Sequence, residues 1–198
     1  MLGFLLSHGA DPNFKGEGVP LAMAVSKPAI LKQLLQGGAD ITKYQGLIEY
    51  ATYHNNLECV KILIEAGGNI NEKHNGVYTP VTTAIRDNRI EILSYLLSHG
   101  ADPNEPGEGI PLINAARYED QKRLMMLLDA GADVNKKNDS GRTALMVTCE
   151  SGLIENVKLL IQRGADVDLA DKSGKTAMDF AVNGGHDDIV MVLLDVMA

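Results

Sequence analysis

Residues 143–166 read TALMVTCESGLIENVKLLIQRGAD, and versions of this stretch recur along the whole chain. Its closing phrase is a pair of apolar residues, two variable residues and then Gly-Ala-Asp or a close variant. The glycine of this phrase recurs at steps of 29 to 33 residues, at Gly9, Gly38, Gly67, Gly100, Gly131 and Gly164. A helix pair of about thirty residues cannot cover its own apolar face, so we expect the copies to stack side by side.

The opening phrase of each copy predicts the start of a short first helix. Thr79, Thr143 and Thr176 lie where a side-chain oxygen can cap the free amides of a helix. Prolines take the first helical position, where a missing amide costs nothing, at Pro20, Pro80 and Pro111. Each recurring glycine follows an apolar pattern with helical spacing, so we expect it to end a second helix in the left-handed conformation.

These phrases resemble the ankyrin repeat, whose period is about 33 residues and whose signature is T-P-L-H-x-A. The resemblance implies an all-α solenoid of stacked helix-turn-helix repeats with short β-hairpin or loop tips. It covers a single domain over 1–198, with a partial repeat at 1–13 and repeats at about 14–42, 43–71, 72–104, 105–135, 136–168 and 169–198.

Two departures from the family pattern carry expectations of their own. The signature His is replaced in every copy, so we expect weaker hydrogen bonding at the helix starts. The replacing residues are Ala22, Glu49, Thr82, Ile113, Met146 and Asp179. Two residues are missing between Ala24 and Leu34, which predicts one tightened turn between helices.

The composition narrows the classes of function. The formal charge of −8 argues against nucleic acid or an anionic membrane as the main partner, because proteins that follow phosphates need a basic face. Cys59 and Cys149 are too few for a disulfide framework, and we expect both to be buried core thiols. No apolar run approaches the roughly 18 residues that span a bilayer, and the first residues lack the features of a signal peptide. We expect an intracellular protein, cytoplasmic or nuclear.

The motifs that would indicate catalysis are absent from the sequence. Gly174-Lys175-Thr176 invites a phosphate-loop interpretation, but that motif needs a glycine at the position of Leu169. The five histidines form no pair at i,i+4, and neither cysteine belongs to a C-x-x-C motif. The sequence also contains no G-x-S-x-G motif. We therefore expect no enzyme activity, no cofactor and no metal site.

The resemblance also indicates where a partner would bind. Ankyrin repeats use the residues just after the first helix and the residue just before its cap. These positions are Tyr53, His54, Tyr78, Arg86, Asp87, Arg117, Tyr118, Arg142, Glu150, Lys175 and Asn183. Tyrosine and arginine are enriched at binding hot spots, so we expect the tyrosines and Arg86 and Arg117 to form the anchor region. The predicted function is a non-catalytic scaffold that binds a protein or peptide on the concave face and hairpin tips.

Three competing interpretations stay open. In the first, the exposed arginines and tyrosines are only solvated side chains and bind no partner. Alternatively the chain is a structural module, intramolecular or self-associating end to end through uncapped termini, where Leu2, Phe4, Leu5 and Leu6 would lie exposed. In the third, it is a regulatory segment of a larger enzyme or signalling protein. The first residues align with the middle of a second helix, which favours a piece of a longer chain.

Overall fold

The computed structural model describes residues 2–13 and 20–198, which are helical and carry a few isolated β-bridges. The chain divides into two compact units, Met1–Asp102 (unit 1) and Pro103–Ala198 (unit 2). Each unit is built from helix pairs that stack on one another. A single domain over 1–198 stays a prediction.

Unit 1 is a two-layer stack of helices. Its helices are α1 (Leu2–Ser7), α2 (Pro20–Ala24), α3 (Pro28–Gln36), α4 (Leu47–Tyr53), α5 (Leu57–Glu65), α6 (Pro80–Arg86) and α7 (Ile90–Ser98), with a 3-10 turn at Ile41–Lys43. Helices α2, α4 and α6 pack in sequence in one layer, and α1, α3, α5 and α7 pack in sequence in the other. The fully buried side chains between the layers include Leu21, Leu31, Leu63, Ile85 and Leu96.

Unit 2 repeats the same construction. Its helices are α8 (Pro111–Ala115), α9 (Lys122–Asp129), α10 (Ala144–Glu150), α11 (Ile154–Gln162), α12 (Ala177–Gly184) and α13 (Asp187–Met197). Helices α8, α10 and α12 pack in sequence, and each pairs with the helix that follows it in the chain. Leu112, Leu124, Leu145, Leu160 and Leu193 are buried in this core.

The recurring glycines take the predicted conformation. All six have φ between 87° and 90°, in the left-handed region that only glycine enters at little cost. The amide of the residue after each glycine returns to the preceding helix, as in the bond from Ala101 N to Leu96 O of 3.0 Å. These bonds satisfy carbonyls that the helix end would otherwise leave free.

The three threonine caps are confirmed. The expectation of weaker hydrogen bonding holds at α4 and α8, which begin after Gly46 and Ile110 without a side-chain cap, but it is wrong at two of the three threonine starts. The hydroxyl of each threonine accepts the amide three residues later, and the residue in the signature His position returns a bond to the threonine amide. Thr82 and Asp179 do this with oxygen atoms, so two complete capping boxes form. Met146 offers only its sulfur, 3.4 Å from Thr143 N, so the expectation holds at this start alone among the three.

The prediction of a tightened turn between helices is wrong. The turn between α2 and α3 has three residues, 25–27, the same length as the turn 54–56 between α4 and α5. The two missing residues shorten α2 itself, which has five residues where α4 has seven.

The hairpin tips and the first helix match their predictions in part. Isolated antiparallel bridges join His74 to Tyr78, Gly107 to Gly109 and Ala170 to Thr176. At the first helix, Leu5 is exposed and Leu6 is half-buried. The side chains of Leu2 and Phe4, and the start of the repeat predicted at 14–42, lie outside the described residues. Among the described residues, no helix is both long enough and apolar enough to cross a bilayer.

Candidate functional site

A cleft of unit 1 opens where α4, the hairpin at 74–78 and α6 meet. Its volume is about 370 Å³. The residues that line it are Glu49, Tyr50, Tyr53, His74, Asn75, Tyr78 and Arg86. Three of the residues predicted from the sequence, Tyr53, Tyr78 and Arg86, therefore share one cavity.

The hairpin that forms one wall is built by Asn75 and Gly76. Both have positive φ, 52° and 72°, as the central residues of a type I′ turn require, and Val77 N closes the turn by donating to His74 O at 3.1 Å. His74 N donates to Tyr78 O at 2.8 Å, and Tyr78 N donates to His74 O at 3.1 Å. This Asn-Gly turn therefore sets His74 and Tyr78 opposite each other at the cleft.

A buried carboxylate fixes the floor of the cleft. Glu49 is 4% exposed, and its Oε2 accepts a hydrogen bond of 2.8 Å from Nδ1 of His74. Its Oε1 accepts a second bond of 2.8 Å from the hydroxyl of Thr83 on α6. A buried charge is tolerated only when it is paired and hydrogen-bonded, and here both oxygens have a partner. The carboxylate thus joins α4, the hairpin and α6.

An aromatic cluster forms the rim. The Tyr50 ring lies edge-on to His54 at 4.6 Å and to His74 at 6.0 Å between ring centroids. Tyr53 contacts His54 at 5.3 Å and is 52% exposed. Edge-to-face contacts of this kind are favourable beyond the area that they bury. The rim therefore presents an ordered tyrosine surface to solvent.

Arg86 supplies the positive charge of the cleft. Its guanidinium lies 5.4 Å from the centroid of the Tyr78 ring, and its Nε donates to Asp87 Oδ1 at 2.9 Å. All five residues predicted in unit 1 are thus connected, because His54 and Asp87 each contact a residue that lines the cleft.

Glu49, Tyr50, His74 and Asn75 were missed as members of this site. Glu49 was noticed only as the residue in place of the signature His. A charged residue on an otherwise apolar helix face, followed 25 positions later by a histidine beside Asn-Gly, is the signal that could have indicated the pair.

Unit 2 brings together a second group of predicted residues. Arg142 Nη2 donates to Glu150 Oε2 at 2.6 Å, and its guanidinium lies 4.3 Å from the centroid of the Phe180 ring. The ammonium of Lys175 is 6.0 Å from the same ring. Phe180 was not predicted, although a cation over an aromatic face is a common stabilising arrangement.

The remaining predicted residues do not join this group. Arg117 is exposed two residues after α8, and Asn183 is exposed on α12. Tyr118 is half-buried, with the guanidinium of Arg123 stacked 3.6 Å from its ring centroid. One face of that ring is therefore occupied within the chain, which leaves Tyr118 less area for a partner than expected.

The predicted core thiols are confirmed as buried. Cys59 and Cys149 are both unpaired and have no exposed surface. Burial raises the pKa of Cys59 to about 11 and that of Cys149 to about 12. Because the thiolate is the reactive form, neither thiol is suited to nucleophilic chemistry at neutral pH. In the described part of the chain, no group of three or more His, Cys, Asp or Glu side chains is arranged to hold a metal ion.

Comparison with known proteins gives several partial matches. The interferon antagonist OPG039 of monkeypox virus is 40% identical over 76 residues, which are 38% of this chain and 27% of that protein. Ankyrin repeat and SOCS box protein 6 of Mus musculus is 37% identical over 92 residues, 43% of this chain and 22% of that protein. Palmitoyltransferase AKR1 of Lachancea kluyveri is 27% identical over 139 residues, 63% of this chain and 19% of that protein. The chain thus spans less than a third of each of these relatives.

The family comparison covers most of the sequence. The family model described as "Ankyrin repeats (3 copies)" matches residues 21–106 and again residues 112–198. Apart from Pro20 and Pro111, these two segments contain α2–α7 and α8–α13, the stacked helix pairs of the two units. The chain belongs to the ankyrin repeat family.

Proposed function

We propose that this chain is a non-catalytic scaffold that binds a partner protein or peptide through the unit 1 cleft. Ankyrin repeats generally mediate protein–protein interactions. The net charge of −8 favours a protein partner over nucleic acid. The Arg142, Glu150 and Lys175 group around Phe180 serves as a second contact surface on unit 2.

The observation that carries the proposal is an exposed tyrosine rim on a rigid floor. Tyr53 is half exposed, and the floor beneath it is fixed by the bonds of Glu49 to His74 and Thr83. Side chains that are already ordered lose less entropy when a partner binds. Tyrosine and arginine also bury a large area while keeping a polar group for hydrogen bonding. The cleft offers both properties at one place.

The test uses a double variant that removes the anchor and keeps the fold. Tyr53→Ala with Arg86→Glu removes the exposed ring and reverses the charge of the cleft. Lys27→Glu is the matched control, because Lys27 is exposed after α2 and the substitution changes the charge by the same amount. Each protein is immobilised, exposed to cell extract, and the captured proteins are quantified by mass spectrometry.

We expect a subset of captured proteins to bind the wild type and the Lys27 variant but to fall at least tenfold with the double variant. Equal urea midpoints would show that all three proteins are folded alike. If the captured sets are the same for the wild type and the double variant, the cleft is not the binding surface.

Self-association is a second candidate function, favoured by apolar side chains exposed on the last two helices. Val182 and Met191 are each 59% exposed, and Leu194 is 49% exposed. Exposed apolar groups of this size favour contact with another protein surface. We expect sedimentation velocity to show a mass that rises with concentration for the wild type, and a monomer for Val182→Lys with Leu194→Lys. A wild type that stays monomeric up to high concentration removes this candidate.

A further inference from the structure

A second cleft lies in unit 2, where the turn after α10 meets the residues that precede α9. Its volume is about 350 Å³. The residues that line it are Glu119, Gln121, Gly152, Leu153, Ile154, Glu155 and Asn156. It shares no residue with the unit 1 cleft or with the group around Phe180.

The decisive feature of this cleft is a buried amide with an unused acceptor. Asn156 has no exposed surface, and its Nδ2 donates to the carbonyl of Tyr118 at 2.8 Å. Its Oδ1 is buried and accepts no hydrogen bond from any residue that the structure describes. Leaving a buried polar atom without a partner costs stability, so such an atom in a residue that lines a cleft indicates a missing donor.

The repeat pattern shows that the fold does not need an amide at this position. Asn156 lies eight residues before Gly164, and the same offset from the four recurring glycines before it holds Ile30, Cys59, Ile92 and Arg123, none of which is an amide. Cys59 and Ile92 are buried among apolar side chains, Ile30 is partly exposed, and the buried Arg123 stacks on Tyr118. If its role were packing alone, an asparagine would stabilise the fold less at this position than an apolar residue.

The charges around the cleft favour a cationic ligand. The lining includes the carboxylates of Glu119 and Glu155 and no basic side chain. Lys158 pairs with Glu155 at 2.9 Å, but both side chains are at least half exposed, so this contact is open to competition. The guanidinium of Arg123 lies on the Tyr118 ring and pairs with Asp120. Glu155 also occupies the first turn of α11, where it offsets the positive end of the helix dipole.

We infer that this cleft binds the side chain of an arginine presented by a partner segment. A guanidinium carries five N–H donors in a planar fork, which can serve the Asn156 oxygen and a carboxylate at the same time. Its methylene stem suits the apolar side chains of Leu153 and Ile154. The inference goes beyond the proposed function, since it concerns a separate cleft and its test needs no natural partner.

The experiment is an NMR titration of the full chain with N-acetyl-arginine amide. We expect saturable shifts of the Gly152, Glu155 and Asn156 backbone amides and of the Asn156 side-chain amide, with a dissociation constant in the millimolar range that rises with salt. N-acetyl-norleucine amide, which has a similar stem and no charge, is expected to cause no saturable shift. Absence of saturable shifts with the arginine probe would overturn the inference.

Two variants separate recognition from general charge. Asn156→Ile replaces the amide with the residue found at Ile92, and we expect affinity for the probe to fall about tenfold. Glu119→Gln with Glu155→Gln leaves the buried layer untouched and should weaken binding several-fold, so the inference stays testable if Asn156→Ile fails to fold. The control is Asp139→Asn with Asp195→Asn, which removes two exposed negative charges elsewhere in unit 2. Unchanged affinity in either cleft variant, or equal weakening in the control, would count against the cleft.

Discussion

Gly46 lies directly against His74, which lines the unit 1 cleft. It has φ of 71°, and a Cβ built on it would lie 2.5 Å from Cβ of His74. We expect Gly46→Ala to destabilise the chain by about 3 kcal/mol, from backbone strain plus the displacement of His74. Urea denaturation measures the loss, and the His74 ring resonances report the displacement.

Gly67→Ala is the matched control for this prediction. Gly67 also has positive φ, 88°, but a Cβ there meets no atom of the described residues within 4 Å. We expect only the strain, about 1 kcal/mol, and unchanged His74 resonances. Equal losses for the two variants would mean that contact with His74 contributes nothing.

The buried thiol of Cys149 makes stability depend on alkaline pH. Its pKa is raised to about 12 in the folded chain, whereas an unfolded cysteine titrates near pH 8.5. Between these values the folded state binds more protons than the unfolded state, so the free energy of unfolding falls as pH rises above about 9. We expect Cys149→Ala to flatten this slope in urea titrations at pH 8 to 10.5. A slope that the substitution leaves unchanged would contradict the assignment to Cys149.

At the level of single residues, the sequence predicted positions whose role is local. The threonine caps and the recurring glycines depend on neighbours within a few positions, so turn and cap chemistry was enough to find them. The bond between Glu49 and His74 joins residues 25 positions apart, and its existence depends on how far α4 lies from the next hairpin. No local sequence pattern indicates the distance between α4 and that hairpin, so the sequence did not predict the bond between Glu49 and His74.

At the level of helices, the capping boxes stabilise the first turn of α6 and α12 more than that of helices without one. Thr79 is 1% exposed and caps α6, with Thr82 returning the bond. We expect Thr79→Ala to cost about 1 kcal/mol in urea denaturation, because the α6 amide loses its acceptor. Thr79→Ser keeps the oxygen and should recover most of the loss. A serine variant as unstable as the alanine variant would show that the threonine methyl group, not the cap, matters.

Helix lengths were harder to predict than helix positions. The two residues missing after Ala24 indicated a deletion, but not which element would lose them. The observed turn keeps three residues, and α2 becomes shorter instead. A turn between packed helices has a minimum length set by the separation of their axes, whereas the last turn of a short helix can be lost at little cost.

In both units, a row of asparagines connects most repeats to the next repeat of the same unit. Each lies four residues after a recurring glycine and binds the loop of the following repeat, through Asn13, Asn71, Asn104 and Asn135. Asn135 shows the pattern, since its Oδ1 accepts from Asp166 N at 2.9 Å and its Nδ2 donates to Gly164 O at 3.4 Å. Stability of a repeat array depends on such contacts between neighbours.

Within unit 1, one position of this row lacks the asparagine. Thr42 occupies it, and its hydroxyl donates to Asp40 within its own loop at 2.6 Å. A cavity of about 170 Å³ lies at this place, lined by Thr42, Leu63, Gly67 and Gly68 among others. The contact between the second and third repeats of unit 1 is therefore weaker than at the equivalent places.

Thr42→Asn should restore the missing contact. By analogy with Asn135, the new amide would bind Asn69 N and Gly67 O, and we expect a gain of about 1 kcal/mol in the free energy of unfolding. The reverse change, Asn71→Ala, removes the bond of 2.8 Å to Asp102 N and should lose a similar amount. Hydrogen exchange localises the effect, because protection should rise in α4 and α5 with Thr42→Asn and fall in α6 and α7 with Asn71→Ala. If Thr42→Asn leaves both the unfolding free energy and the exchange of α4 unchanged while Asn71→Ala is destabilising, the repeats at this place are already too far apart for the bond to form.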